Sequence, residues 1–177
     1  MTIKDVLAAA EDESPRFRTF LAWVLPWEAT VSHAGDILPE NDHDGAGATF
    51  AGMTERDDGL NIQTLSSHWL VSKYVSNYWK PSRAEEIPEP VCYVVANFAV
   101  NCGVGRATKF LQQALGITDD GIIGPDTIAH CYKVDVQELA RDVLDNGRRY
   151  YHSLGEANPN LKGWLNRTND LESKLCG

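Results

Sequence analysis

The chain has 177 residues, of which 43% are hydrophobic, and its 16 Lys and Arg against 25 Asp and Glu give a formal net charge of −9. This is the composition of a globular protein and excludes intrinsic disorder. Nucleic acids and anionic membranes are recognised by clustered Lys and Arg, so the acidic balance argues against both as partners. No apolar run reaches the roughly 18 to 20 residues of a membrane span, so we expect no membrane insertion.

The first predicted helix follows Ser14 and Pro15, which supply an N-cap and a first-turn proline. Its apolar stripe has helical period and consists of Phe17, Phe20, Leu21 and Val24. We expect this helix to stop near Pro26. Over residues 27–53 glycine, proline and polar residues replace the periodicity, which predicts loop and turn with short strands. A second helical pattern covers residues 62–79, where Leu70, Tyr74 and Tyr78 step by four.

A charged connector that contains prolines, KPSRAEEIPEP, follows and marks the predicted boundary between two lobes, residues 1–85 and 86–177, packed as one globule. Beyond it, Pro125 can open a short helix after a turn-rich segment. Apolar stripes predict longer helices over residues 91–98, 107–115, 136–154 and 164–175. The sequence therefore predicts a mainly α architecture with one irregular region near its start.

Glu28 is the first residue that could carry chemistry. It follows the first predicted helix directly and stands next to Trp27. A carboxyl beside an indole at a helix end can lose hydration, and a desolvated carboxyl keeps its proton near neutral pH, as a general acid requires. The alternative is a surface glutamate at a helix end, and composition alone favours that alternative.

A glycine-rich loop, DHDGAGATFAGMT, carries Asp42, Asp44 and Thr49. A second carboxylate on a turn facing Glu28 would complete the pair that glycoside hydrolysis needs, one to protonate the leaving oxygen and one to act on water or the transition state. The loop also begins like an EF-hand, but Ala51 stands where the closing Glu belongs. Histidines and cysteines show no ligand spacing, so we predict no metal site.

Motifs along nearly the whole chain form a known series. The stretches WVLPWEATV and DHDGAGATFAGMT correspond to a helix with E-G-G-Y and to D-x-G-G-x-T-x-x-G-I-T. The later motifs are Tyr78-Trp79, then Asn101, Gly103 and Ala107, then Leu111-Gln112, then Asp120, Gly121, Gly124 and Thr127, then Arg148 to Tyr151, and finally Gly163, Trp164 and Arg167. In this order they resemble the glycoside hydrolase family 108 muramidases, found as phage endolysins and as bacterial secretion-activator lysozyme homologues.

The resemblance implies a lysozyme-like helical fold, with a short irregular or β region after the first core helix, and cleavage of the bond between N-acetylmuramic acid and N-acetylglucosamine without a cofactor. It implies that Glu28 is the catalytic acid and that Asp44 and Thr49 position or activate water. The expected substrate-binding residues are Trp27, Asp42, Tyr78 and Asn101. Residues 1–85 would form the catalytic lobe and residues 86–177 a helical peptidoglycan-binding lobe.

Two departures from the family pattern concern the site. After Glu28 the chain has Ala29-Thr30-Val31 where the family has Gly-Gly-Tyr, and the loop to Thr49 is longer, with Glu28 lying 21 residues before it. Ala and Thr adopt positive φ less readily than Gly does. Asp42 and Glu40 therefore compete with Asp44 for the role of second carboxylate.

The function predicted from the sequence is that of an endolysin-type peptidoglycan hydrolase. The alternative is a catalytically inactive peptidoglycan-binding or wall-opening structural protein with a lysozyme-like fold. The acidic start of the chain shows no secretory signal. We therefore expect a monomer that stays in the host cytoplasm until release and then acts on the cell wall, with peptidoglycan as its partner.

Overall fold

The structure is a computed structural model that describes residues 1–41, 48–54 and 65–176. Helices dominate these residues, and the predicted mainly helical fold with a short β region after the first core helix is confirmed. The chain divides into two compact units, Met1–Asn77 and Tyr78–Gly177. The lobe boundary predicted between residues 85 and 86 stays a prediction. Within the described residues no helix is long and apolar enough to cross a membrane.

The N-terminal unit begins with two helices, α1 (Ile3–Ala9) and α2 (Pro15–Glu28). Helix α1, which was not predicted from the sequence, starts with a capping box between Thr2 and Asp5. As predicted, Ser14 caps α2, and its hydroxyl accepts a hydrogen bond from the backbone N–H of Phe17. The apolar stripe of α2 is buried in the core of this unit.

Three short antiparallel strands follow, β1 (Glu40–Asn41), β2 (Ala48–Phe50) and β3 (Met53–Thr54), in the order β1-β2-β3. Phe50 is opposite Met53, and both side chains are buried. Cross-strand partners point to one face of a sheet, so this face covers the core. The last helix of this unit is α3 (Ser67–Tyr74), and a π-helical turn, Val75–Trp79, follows it across the boundary between the units.

The C-terminal unit consists of a 3₁₀ turn (Ala84–Glu86) and five helices within its described residues. These are α4 (Val91–Cys102), α5 (Val104–Ala114), α6 (Pro125–Cys131), α7 (Val136–Ser153) and α8 (Leu161–Leu175). The predicted break between α4 and α5 falls at Gly103, and Pro125 opens α6 as predicted. Residues 91–99 of α4 are all buried, which makes α4 the central helix of this unit.

Gln112 of α5 holds the turn-rich segment between α5 and α6. Its side chain is buried and donates from Nε2 to Oδ1 of Asp120 (2.7 Å) and to the carbonyl of Ile122 (3.1 Å), while Oε1 accepts from the N–H of Gly121 (2.9 Å). The hydrogen bond from Gln112 holds the pKa of Asp120 below its usual value. The Leu-Gln and Asp-Gly motifs of the sequence are thus joined by one hydrogen-bond network around Gln112.

Candidate active site

Glu28 is the last residue of α2, and its side chain is half-buried. The predicted end near Pro26 is therefore wrong by two residues. A proline in the last turn gives up its own N–H bond, but the following turn still closes, since the N–H of Ala29 donates to the carbonyl of Leu25 (2.9 Å). The helix end consequently carries Glu28 on a fixed backbone.

The carboxylate of Glu28 lies directly against Gly52, between β2 and β3. A Cβ placed on Gly52 would stand 2.7 Å from Oε2 of Glu28, closer than real Cβ contacts come. Gly52 also has φ +78, a left-handed conformation that favours glycine. The backbone angle therefore favours glycine at this position, and the Glu28 carboxylate occupies the space that a Cβ would take.

The β2–β3 turn that contains Gly52 is held by a hydrogen bond from α3. Its two central residues, Ala51 and Gly52, both have positive φ, which is the geometry of a tight two-residue hairpin turn. At Ala51, a residue with a Cβ, this conformation costs about 1–2 kcal/mol. The buried hydroxyl of Tyr74 in α3 donates to the carbonyl of Ala51 (2.9 Å). Tyr74 thus holds a strained turn against the candidate acid.

Thr49 and Glu40 occupy the face of the sheet opposite Phe50 and Met53. Glu40 of β1 is the register partner of Thr49 in β2. Neighbouring residues of a strand point to opposite faces, so Thr49 faces away from the core that Phe50 joins. Glu40 is exposed, and its Oε1 accepts a hydrogen bond from the Thr30 hydroxyl. This face therefore carries a carboxylate and a hydroxyl side by side.

The long connection after Glu28 folds as a small hairpin. The N–H of Ser32 donates to the carbonyl of Asp36 and the N–H of Leu38 to that of Thr30, both at 2.8 Å. The N-terminus extends this hairpin, since the N–H of Ile37 donates to the carbonyl of Met1 (2.8 Å). The extra residues relative to the family pattern are thus ordered structure.

The glycines that are missing after Glu28 are not required by the backbone of this hairpin. Ala29 has φ −116, and the only non-glycine residues with positive φ in the described chain are Ala51 and Arg83. Residues 29–31 therefore need no glycine, because they run in conformations open to any side chain.

The remaining predicted site residues are distributed as follows. Trp27 is 39% exposed and precedes Glu28 on α2. Asp42 and Asp44 lie outside the described residues. Tyr78 and Asn101 belong to the C-terminal unit, where Nδ2 of Asn101 donates to the hydroxyl of Tyr151 (3.0 Å). Among the described residues, no group of three or more His, Cys, Asp or Glu side chains is arranged to hold a metal ion.

Sequence reasoning missed two residues of this site, Tyr74 and Thr30. In the sequence, Tyr74 is only one position in the apolar stripe of its helix. Such a stripe does not show that the Tyr74 hydroxyl reaches a backbone carbonyl 23 residues away. Thr30 was noted only because the family pattern has a glycine at this position. Its hydroxyl could have been recognised as a hydrogen-bond donor near Glu40 only if the hairpin had been predicted.

Two family models match successive segments of the chain. Residues 21–103 match the family model described as Glycosyl hydrolase 108, and residues 106–169 match the one described as Predicted Peptidoglycan domain. The fold is similar to a solved structure described as that of Brucella abortus SagA, with a TM-score of 0.75 and 24% identity over 89% of this chain and 92% of that chain. No curated protein matches the sequence significantly.

The two family matches confirm the resemblance to glycoside hydrolase family 108. Glu28, Thr49 and Gly52 all lie in the first matched segment, and the hydrogen-bond network around Gln112 lies in the second. The chain is therefore a lysozyme-like protein that acts on peptidoglycan, in which a Glycosyl hydrolase 108 domain is followed directly by a Predicted Peptidoglycan domain.

Proposed function

We propose that the protein is an N-acetylmuramidase of the endolysin type, which cleaves the bond between N-acetylmuramic acid and N-acetylglucosamine with Glu28 as its general acid. The observation that carries the proposal is the seat of Glu28: a half-buried carboxylate at a helix end, packed against Gly52 of a turn that Tyr74 anchors. A catalytic acid needs such a fixed position, because proton transfer requires the carboxyl within hydrogen-bond reach of the leaving oxygen.

In this mechanism Glu28 gives its proton to the glycosidic oxygen as the bond to the anomeric carbon breaks. Positive charge develops on the sugar ring and is quenched by water. Thr49 is half-buried and lies on the side of β2 opposite Phe50, where its hydroxyl can hold that water. The family resemblance gives the role of second carboxylate to Asp44, with Asp42 and Glu40 as the alternatives; of the three, Glu40 belongs to the described residues. Trp27, the residue before Glu28 on α2, has an exposed indole, and sugars stack on such faces.

Mass spectrometry of the fragments released from purified peptidoglycan tests the proposal. The unmodified protein is expected to create new reducing muramic acid ends, and Glu28→Gln to lower their rate of formation by about 100-fold or more, since general acid catalysis contributes roughly 10²–10⁴-fold. Glu11→Gln is the matched control, an exposed glutamate of the same unit that should leave the rate unchanged. Intact glycan to which the protein has only bound would refute muramidase activity and favour an inactive wall-binding protein.

A further inference from the structure

The exposed face of β1 and β2 carries a carboxylate that the family pattern does not use. We propose that Glu40 is a further catalytic residue, which takes the proton from the attacking water beside Thr49. This inference rests on the proposed muramidase function and specifies how its second half-reaction is carried out.

The register of the sheet places the two groups together. Glu40 and Thr49 are direct partners in the antiparallel pair of β1 and β2. Directly opposite residues have Cβ atoms about 4.5–5.5 Å apart and share one face of the sheet. The opposite face is closed by Phe50 and Met53, which are 4% and 0% exposed. A water molecule that touches the Thr49 hydroxyl on the open face is therefore within reach of the Glu40 carboxylate.

Thr30 fixes the orientation of that carboxylate. Its hydroxyl donates to Oε1 of Glu40, and the Thr30 backbone is itself held, because its carbonyl accepts from the N–H of Leu38 (2.8 Å). An ordinary exposed glutamate samples many rotamers, and ordering it costs free energy. Glu40 is held by a donor on an ordered hairpin, as a base that must meet one particular water would be.

Two links tie Glu40 to Glu28. Along the chain, Thr30 follows Glu28 by two residues, so their Cα atoms are at most about 7 Å apart. Across the sheet, Thr49 belongs to the strand that leads into the turn of Gly52, which the Glu28 carboxylate touches. Both routes bring Glu40 to the neighbourhood of a sugar bound at Glu28.

The proposed step balances as a single displacement. Glu28 transfers its proton to the leaving oxygen, which keeps the electron pair of the broken bond to the anomeric carbon. The water oxygen forms the new bond to that carbon, and one water proton passes to the Glu40 carboxylate. Return of this proton to Glu28 through solvent restores the starting enzyme. A water placed between two carboxyls corresponds to inversion of the anomeric configuration.

The test compares Glu40→Ala with Asp42→Asn, Asp44→Asn and the control Glu11→Gln on soluble glycan strands, with kcat, KM and Tm measured for each. We expect Glu40→Ala to lower kcat by about 100-fold or more with little change in KM or Tm. Azide forms a bond to carbon without losing a proton, so it needs no base. Added azide should therefore restore turnover of Glu40→Ala and yield an inverted glycosyl azide.

Thr30 serves as a second probe of the same geometry. Thr30→Val removes the donor to Glu40 and should lower kcat about tenfold, whereas Thr30→Ser keeps a hydroxyl and should remain near the activity of the unmodified protein. A structural role alone would not separate these two variants by kcat at equal Tm.

Four results would overturn the inference. Full activity of Glu40→Ala, or a loss of activity that azide does not rescue, would show that Glu40 is not the base. Products that retain the anomeric configuration would exclude a single displacement. An unmodified protein that makes no reducing ends would overturn the proposed function and this inference together, whereas an active protein insensitive to Glu40→Ala would overturn only the inference.

Discussion

Gly52→Ala tests most directly whether catalysis depends on the position of the Glu28 carboxylate. The new Cβ would stand 2.7 Å from Oε2 of Glu28, whereas ordinary contacts begin at 3.4 Å, so the carboxylate must retreat by about 0.7 Å. A misplacement of about 1 Å can cost 10²-fold in rate, so we expect hydrolysis to fall by about 10- to 100-fold. The left-handed φ of +78 adds about 1–2 kcal/mol of strain and lowers Tm by a few degrees.

Gly35→Ala separates the displacement of Glu28 from backbone strain. Gly35 has a similar φ of +86 in the same unit, but a Cβ on it would meet no atom within 4 Å. Both variants should therefore lose a similar amount of stability, measured by thermal melting, and only Gly52→Ala should lose its rate of release of reducing ends. Equal activities of the two variants at equal Tm would show that the contact of Glu28 with Gly52 has no role in catalysis.

Two further predictions concern the stability of the C-terminal unit. In Gly147→Ala the new Cβ would lie 2.0 Å from Cζ of the buried Phe98, so overpacking should cost at least about 1–3 kcal/mol and lower Tm, whereas Gly163→Ala, with open space around its Cβ, should not. Asp120→Asn should lower Tm at pH 7. Because the folded-state pKa of Asp120 is below its unfolded value near 3.8, its stabilisation is present above pH 4 and is lost as the pH falls through the lowered pKa, so the Tm difference should shrink as the pH is lowered.

The sequence predicted helices where an apolar stripe coincides with a start or stop residue. The stripe of α2 follows Ser14 and Pro15, and the break between α4 and α5 is a glycine at φ +81. The short helix α1 escaped prediction because its seven residues offer a single buried side chain, Val6. Its main sequence signal is the Thr2–Asp5 capping box, which is visible only once a helix is suspected.

The site was predictable in part for the same reason. Glu28 was found from its place at a helix end and from the family motif, both of which are local. Its contact with Gly52 and the bond from Tyr74 to Ala51 join residues more than 20 positions apart. No spacing in the sequence encodes such a contact, since it depends on how β2, β3 and α3 pack.

The hairpin of residues 30–38 shows how the two departures from the family pattern belong together. A longer connection between Glu28 and β1 could have left the strand free to shift, but its pairing with itself and with the N-terminus fixes where Glu40 begins β1. Thr30 in place of a glycine then gives this fixed hairpin a hydroxyl, and that hydroxyl holds Glu40. Glycine could not supply the donor, and without the longer hairpin Thr30 would have no partner strand to set its register against Leu38. Because each change depends on the other for its effect at Glu40, the two departures form one structural unit, an ordered hairpin whose Thr30 hydroxyl holds the first residue of β1.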